Sequence, residues 1–280
     1  MTVGSVIFEG TNEWFVEAIA GMEDAAAELD VHLSKSDSRY DVNVERDLIR
    51  EQIKNKASAM VICPLTVEES GAALSEATKL SIPVVTWNTV VTPAPTSQVI
   101  VDAKTLGSAT GEYFCGYAKK HDLHNIKAAY IIDESFSIAK DRCDGFRNSV
   151  KPLIDSGDLK VVAQAKSHLY EETTVTVEKL LKEHPNINFI WCWNQMTTGA
   201  TVDVLKKLRR SDIIVAGTDM SLPLAAAMQE EQVNLIAITT QQPYQMGYDA
   251  VKTAVQAARG EKVETTISVP TITYTKEDQA

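Results

Sequence analysis

Short apolar runs alternate with amphipathic stretches along almost the whole 280-residue chain. Residues 3–8, 59–63, 83–87, 127–132, 159–165, 188–193, 213–218 and 235–239 each read as a strand. Many of them are apolar at successive positions, without the alternation of a sheet that has one wet face. Strands buried on both faces belong to parallel sheets covered by helices on both sides. The predicted class is therefore α/β, built from doubly wound parallel sheets. The first helix is equally readable. Phe15, Ile19, Met22, Ala26 and Leu29 recur at three and four residues and form one apolar stripe, with Asn12 placed to cap it. Trp14 lies beside that stripe on a face carrying Ala18, Gly21 and Ala25, which reads as an exposed wall.

A chain of this length suggests about two domains of ~150 residues, and it is long enough to bury a large core. The net charge of -11 argues against nucleic acid as a partner, because phosphate contacts need clustered Lys and Arg. No apolar run approaches the ~18–20 residues of a membrane span. Cys63, Cys115, Cys143 and Cys192 are widely spaced, with no CxxC and no His at ligand spacing, so they read as buried free thiols and no metal site is predicted. The chain enters its first strand at once, without a charged n-region or an apolar h-region. Either the protein is cytoplasmic or a signal or anchor was removed.

Catalysis is not expected, and no cofactor is called for. Asp133-Glu134 is the one adjacent carboxylate pair near a strand end, and neighbours in sequence project apart. No His or Ser stands with them in a triad or elbow motif. The pair reads as shaping the rim of a site. After Gly260 the rhythm stops, and residues 263–269 and 271–274 read as extended segments in place of a further strand-helix unit.

The segment SIAKDRCDGF (137–146) opens a helix directly after the strand at 127–132. Arg142 therefore stands early in a helix at the mouth of an α/β sheet, where ligands bind, and its guanidinium fork offers five fixed donors. Six other segments follow a matching order: TNEWFVEAIAGMEDAAAELD, SIPVVTWNT, VDAKTLGSATGEYF, FIWCWNQMTTGA, IIVAGTDM and ITTQQPYQMGYDA. Together, over nearly the whole chain, the seven resemble the type I periplasmic sugar-binding proteins of the ribose-binding subfamily. Repressor effector cores and receptor sensor domains share that fold.

The resemblance implies two doubly wound lobes joined by a three-strand hinge, with a sugar enclosed between them. The first lobe would comprise residues 1–102 plus 240–269 and the second 103–239 plus 270–280. Ligand contacts on the first lobe would be Asn12, Trp14, Phe15, Asn88, Thr89 and Gln241. On the second they would be Arg142, His168, Asn194 and Asp219. The implied partners are a small sugar or polyol and an ABC permease, on the periplasmic or extracellular face of a bacterial membrane. A sensor domain of a signalling receptor and a repressor core lacking its DNA-binding domain are the alternatives.

Independent chemistry agrees with such a site. Aromatic faces cover the C–H faces of a sugar, and Asn, Gln, Asp and Arg satisfy its hydroxyls. A polar group left unpaired by the wrong epimer costs about 1–3 kcal/mol. Blander roles stay open for several residues: Phe15 in the core, Asn12, Asn194 and Asp219 as helix caps, Gln241 and His168 in solvated loops. Trp14, Trp87 and Trp193 fall at strand ends or helix starts, where ligand-driven closure would desolvate them. Two departures bear on the ligand. Asn88-Thr89 stands where ribose-binding relatives carry an Asp-Arg pair, and His168 stands where they carry an aromatic ring. Losing two charge-assisted partners points away from D-ribose in the usual pose, toward another pentose, a polyol, a cyclitol or a furanosyl molecule.

Overall fold

A computed structural model describes residues 1–11 and 13–277, so Asn12 lies outside the described residues. The chain divides into two compact units. One holds Met1–Val101 with Gln242–Pro270, and the other holds Asp102–Gln241 with the chain from Thr271 onward. The first unit begins with β1 (Thr2–Ile7), α1 (Glu13–Glu28), β2 (His32–Asp37), α2 (Val42–Lys54) and β3 (Ala59–Ile62). It continues with α3 (Glu69–Lys79), β4 (Val84–Trp87) and β5 (Ser97–Ile100). The second unit begins with α4 (Ala103–Lys120), β6 (Ile126–Ile131), α5 (Ser137–Asp155), β7 (Leu159–Ala165) and α6 (Tyr170–Glu183). It runs on through β8 (Phe189–Cys192), α7 (Gln195–Leu208), β9 (Ile214–Thr218), α8 (Leu222–Met228) and β10 (Asn234–Thr240). The chain then returns α9 (Pro243–Ala258) and β11 (Thr266–Ser268) to the first unit and adds β12 (Ile272–Thr275) to the second.

Each unit is built on one six-stranded sheet. The first has the order β2-β1-β3-β4-β5-β11 and is parallel throughout. The second has the order β7-β6-β8-β9-β10-β12, parallel except that β12 runs antiparallel to β10. In both sheets the order reverses after the first strand, between β1 and β3 and between β6 and β8. Crossovers leave such a point toward opposite faces, and a crevice opens beyond the carboxyl ends of the strands. The tail segments are strands as expected, one added to each sheet.

The central strands β3, β4 and β8 are buried along their full length, which is why they read so plainly as apolar runs. β2, with the sequence HLSKSD, gives no such run. It is an edge strand bonded only to β1 and partly exposed along its length, so polar residues suffice.

Small residues on two helices set the closest approaches. The Ala18, Gly21 and Ala25 face of α1 is buried, which corrects the exposed wall expected there. It packs on α9: a Cβ at Gly21 would lie 2.0 Å from the Tyr244 carbonyl oxygen, and one at Gly247 would lie 2.0 Å from that of Ala18. The second unit repeats the device between α4 and α5. There a Cβ at Gly107 would lie 1.8 Å from the Arg142 carbonyl oxygen, and one at Gly145 would lie 2.0 Å from that of Lys104. Arg142 is thereby seated by a backbone-to-backbone contact that only glycine permits.

The chain passes between units after Val101, Gln241 and Pro270, against expected passages after residues 102, 239 and 269. The second differs because β10 stays paired with β12 as far as Thr240, opposite Ile272. Gln241 therefore belongs to the second unit, not the first.

Gly107→Ala should lower the thermal midpoint, since a carbonyl cannot rotate away and overpacking costs about 1–3 kcal/mol. Gly116→Ala, in the same helix but with nothing within 4 Å of its Cβ position, should leave the midpoint unchanged or raise it by the ~1 kcal/mol helix propensity of Ala over Gly. Thermal unfolding of the two variants followed by circular dichroism checks both signs.

Candidate functional site

Arg142 is the most tightly held polar side chain at the carboxyl end of the second sheet. It projects from the second turn of α5 and is only 4% exposed. Its Nη1 donates to Asp219 Oδ2 at 2.6 Å and to the Trp193 carbonyl at 2.9 Å, with the Thr218 hydroxyl at 3.2 Å. Nη2 reaches Asp219 Oδ1 at 3.3 Å. The guanidinium carbon lies 6.0 Å from the Trp193 ring centroid, at cation–π range. The Nε is buried without a protein acceptor. Asp219 follows β9 in the left-handed backbone region, φ 65°, which Asp and Asn tolerate. Asn88 takes the same conformation, φ 65°, directly after β4. Their amides make matching bonds, Asp219 to the Thr239 carbonyl and Asn88 to that of Val99. The two units thus present an Asp and an Asn at equivalent positions of the same fold.

Asn194 is the N-cap of α7, and its Oδ1 accepts from the Thr197 amide and hydroxyl, both at 2.8 Å. Its Nδ2 donates to the His168 carbonyl at 3.3 Å, so capping orients the side chain and ties it to the β7–α6 loop. The His168 ring is about one-third exposed. Its Nδ1 lies 3.3 Å from Asp133 Oδ2 and 3.5 Å from Glu172 Oε2. Asp133 is 2% exposed, so it is not the rim residue expected from its place in sequence. The Ser135 hydroxyl above all, with the Ser135 amide and Lys166, holds its carboxyl below the usual range despite burial. Glu134 does lie outward, paired with Arg147 at 3.0 Å.

Aromatic rings dominate the corresponding end of the first sheet. Trp14, half-buried in the first turn of α1, stacks on Trp87 with centroids 5.6 Å apart and planes at 18°. Phe15 is buried in the core, edge-on to Phe8 and Trp14 at 4.9 Å each, which settles its open role toward packing. Tyr40 adjoins Phe8 at 5.2 Å. Asn88 Nδ2 points to Cys63 Sγ at 3.8 Å, and the Thr89 amide bonds the Trp87 carbonyl at 2.8 Å. Trp87 is fully buried and Trp193 only 7% exposed inside their own units, so neither has much surface left to desolvate.

The structure thus gathers Arg142, His168, Asn194 and Asp219 at one sheet end and Trp14, Phe15, Asn88 and Thr89 at another. Gln241 stands with the former set's unit. Phe8, Tyr40 and Phe136 were not anticipated. Phe136 stacks on Trp193, centroids 5.8 Å apart and planes at 22°, yet is 43% exposed. Its signal was present, for a large ring between two serines just after a strand has no core to serve. Among the described residues no cluster of three His, Cys, Asp or Glu side chains could hold a metal ion, and no helix is long and apolar enough to cross a membrane.

The four cysteines are free thiols. Burial pushes Cys143 and Cys192 up to about 12 and raises Cys63 as well, and Cys115 is partly exposed. Burial disfavours the reactive thiolate, so near pH 8 Ellman's reagent should find at most one reactive thiol in the native protein and four after denaturation. Asp219→Ala should cost about 3 kcal/mol of stability, because it leaves the Arg142 charge buried and unpaired. Urea unfolding of the variant measures that loss.

A family model for the periplasmic binding protein domain matches residues 3–262. The chain is 25% identical to the ABC transporter periplasmic-binding protein YphF of Escherichia coli K12, over 99% of this chain and 86% of that protein. It is also 25% identical to the ribose import binding protein RbsB of Bacillus subtilis 168, over 96% of this chain and 85% of that one. A carbohydrate transporter solute-binding protein from Agrobacterium radiobacter, solved with D-arabinose, superposes with a TM-score of 0.80 at 22% identity, covering 100% of this chain and 95% of that chain. Sheet order, strand-end site and a family match spanning most of the residues agree: the chain belongs to the periplasmic binding protein domain family.

Proposed function

We propose that this protein is a non-catalytic solute receptor that captures a sugar or polyol between its two units and delivers it to an ABC permease. It would work on the periplasmic or extracellular face of a bacterial membrane. One observation carries the reading. Arg142, Asn194 and Asp219 converge beside aromatic rings at the carboxyl end of one sheet, and a second aromatic cluster with Asn88 and Thr89 occupies the same end of the other. Hydroxyls need such paired donors and acceptors, while the C–H faces of a sugar suit the rings. The Arg142 charge is already balanced by Asp219, which favours hydroxyls over a carboxylate or phosphate. Neutral Asn88-Thr89 favours another pentose, a polyol or a cyclitol over D-ribose in its usual pose. The import functions named for the relatives, and the D-arabinose of the solved neighbour, support the class.

Delivery requires a surface that a permease can read. Val16, Tyr40 and Val67 on the first unit, and Leu169, Met196 and Leu222 on the second, are large exposed apolar residues at or beside the strand-end face of their unit. Exposed apolar groups at the strand-end face of a unit suit protein docking.

Thermal-shift screening of pentoses, hexoses and polyols, followed by calorimetry, tests the ligand class; an absence of binding across all three classes would overturn it. Arg142→Ala should weaken the best ligand at least tenfold, ~1.4 kcal/mol, and near-unchanged affinity would remove Arg142 from the site. Ligand contacts on both units would select the closed form. X-ray scattering should therefore show a smaller radius of gyration at saturation, and the fluorescence change should vanish in Trp14→Phe, because Trp14 is the tryptophan left half-exposed. An unchanged radius with binding confirmed would argue against closure.

A further inference from the structure

We propose that Thr239 is a positioning residue for the hinge: its hydroxyl binds the roots of all three chain passages into one rigid body on the second unit. The use of that body in ligand-driven closure rests on the sugar-binding reading above; the tie itself rests on geometry alone. The chain passes between units after Val101, Gln241 and Pro270. On the second unit the first passage leads into α4, the second leaves from β10 and the third leads into β12. One threonine from each of these elements meets the others. Thr110 Oγ1 of α4 donates to Thr239 Oγ1 of β10 at 2.8 Å, and Thr239 Oγ1 lies 2.9 Å from Thr273 Oγ1 of β12. Thr110 and Thr239 are fully buried.

Proton count sets the direction of the bonds. A threonine hydroxyl has one proton and two lone pairs. The Thr110 oxygen also lies 3.2 Å from the Leu106 carbonyl of its own helix, a common bond for a helical threonine, but its contact with Thr239 is shorter. Thr239 accepts that proton and keeps its own for Thr273, the residue directly opposite it in the antiparallel ladder. Hydroxyls joined in series polarise one another, and a buried one that loses its partner is costly. Backbone bonds already join β12 to β10. A helix can enter no such ladder, so a side chain has to supply the polar tie from α4 to the strands.

The same strand end also serves the candidate site. The Asp219 amide donates to the Thr239 carbonyl at 2.9 Å, and the Met220 amide donates to Thr240 Oγ1 at 3.2 Å. The first unit ties its own ends separately. There the Val269 amide donates to the Ile100 carbonyl at 2.9 Å, and Gln242 Nε2 donates to the Pro270 carbonyl at 2.8 Å. Bending is thereby confined to Val101, Gln241, Thr271 and the peptide links beside them.

Two measurements decide the proposal, both without ligand. Thr239→Val removes the hydroxyl at nearly constant shape. Native-state hydrogen exchange should then quicken at least tenfold in β12 and in the first two turns of α4, while β8 exchanges as before. Thr239→Ser, which keeps the hydroxyl, should restore slow exchange in both places. Thr110→Val should quicken β12 as well, because its hydroxyl is joined to that strand through Thr239. A uniform change across all strands, or a Thr110→Val effect confined to α4, overturns the tie. Spin labels at Lys54→Cys in α2 and Lys182→Cys in α6, on a Cys115→Ser background, then report the spread of distances between units by pulsed electron paramagnetic resonance. That spread should widen in Thr239→Val and stay at the wild-type value in Thr239→Ser; an equal spread in all three proteins overturns the hinge role. Thr273→Val serves both measurements if Thr239→Val fails to fold. Neither result depends on whether any sugar binds, so failure of the sugar-binding reading and failure of the tie are separate outcomes.

Discussion

Two parallel strands cannot be joined by a tight turn, because the chain must return along the sheet before it can run in the same direction again. Among the described residues eleven strands lie in parallel pairings, six in the first sheet and five in the second, and all else is arranged by that constraint. Every crossover helix covers a face, so the central strands become apolar at successive positions. Parallel strands of a sheet all end on the same side, so the loops and helix starts that carry polar and aromatic side chains collect there. The site residues lie far apart in sequence, from Trp14 to Asp219, yet each unit gathers its share at one end of one sheet.

Within that frame, two close helix contacts locate the chemistry. Gly107 and Gly145 let α4 and α5 meet backbone to backbone at Arg142, so the guanidinium starts from a rigid place. Burying it would be unfavourable without Asp219, whose carboxylate accepts two of its bonds, and the Trp193 carbonyl, which accepts another. The pair is better understood as a device for orientation than for stability. Held this way, the guanidinium has its donors fixed in direction, the kind of preorganisation that lowers an ordering cost.

The two units use different chemistry on a shared plan. After β9 the second unit carries Asp219, paired with a buried arginine; at the equivalent turn after β4 the first carries Asn88, beside a buried thiol. The first unit offers rings and neutral polar groups, the second a balanced ion pair and a capped asparagine.

The sequence by itself determined the fold class and most of the strands, because residues buried on both faces of a parallel sheet must be apolar wherever they lie. It also identified Arg142, Asn194, Asp219, Asn88 and Trp14 as strand-end or helix-start residues, since those places follow from chain order. β2 escaped notice because an edge strand answers to only one neighbour and tolerates HLSKSD. The small-residue face of α1 was misread because Ala and Gly look alike whether they face water or another backbone; only the presence of α9, more than two hundred residues away, decides between the two. Tertiary structure alone placed Phe15 in the core, closed Trp87 and Trp193 off from solvent, buried Asp133, and brought Phe136 and His168 together. Burial and side-chain pairing depend on what packs opposite, and periodicity along a chain records only that a residue has a face.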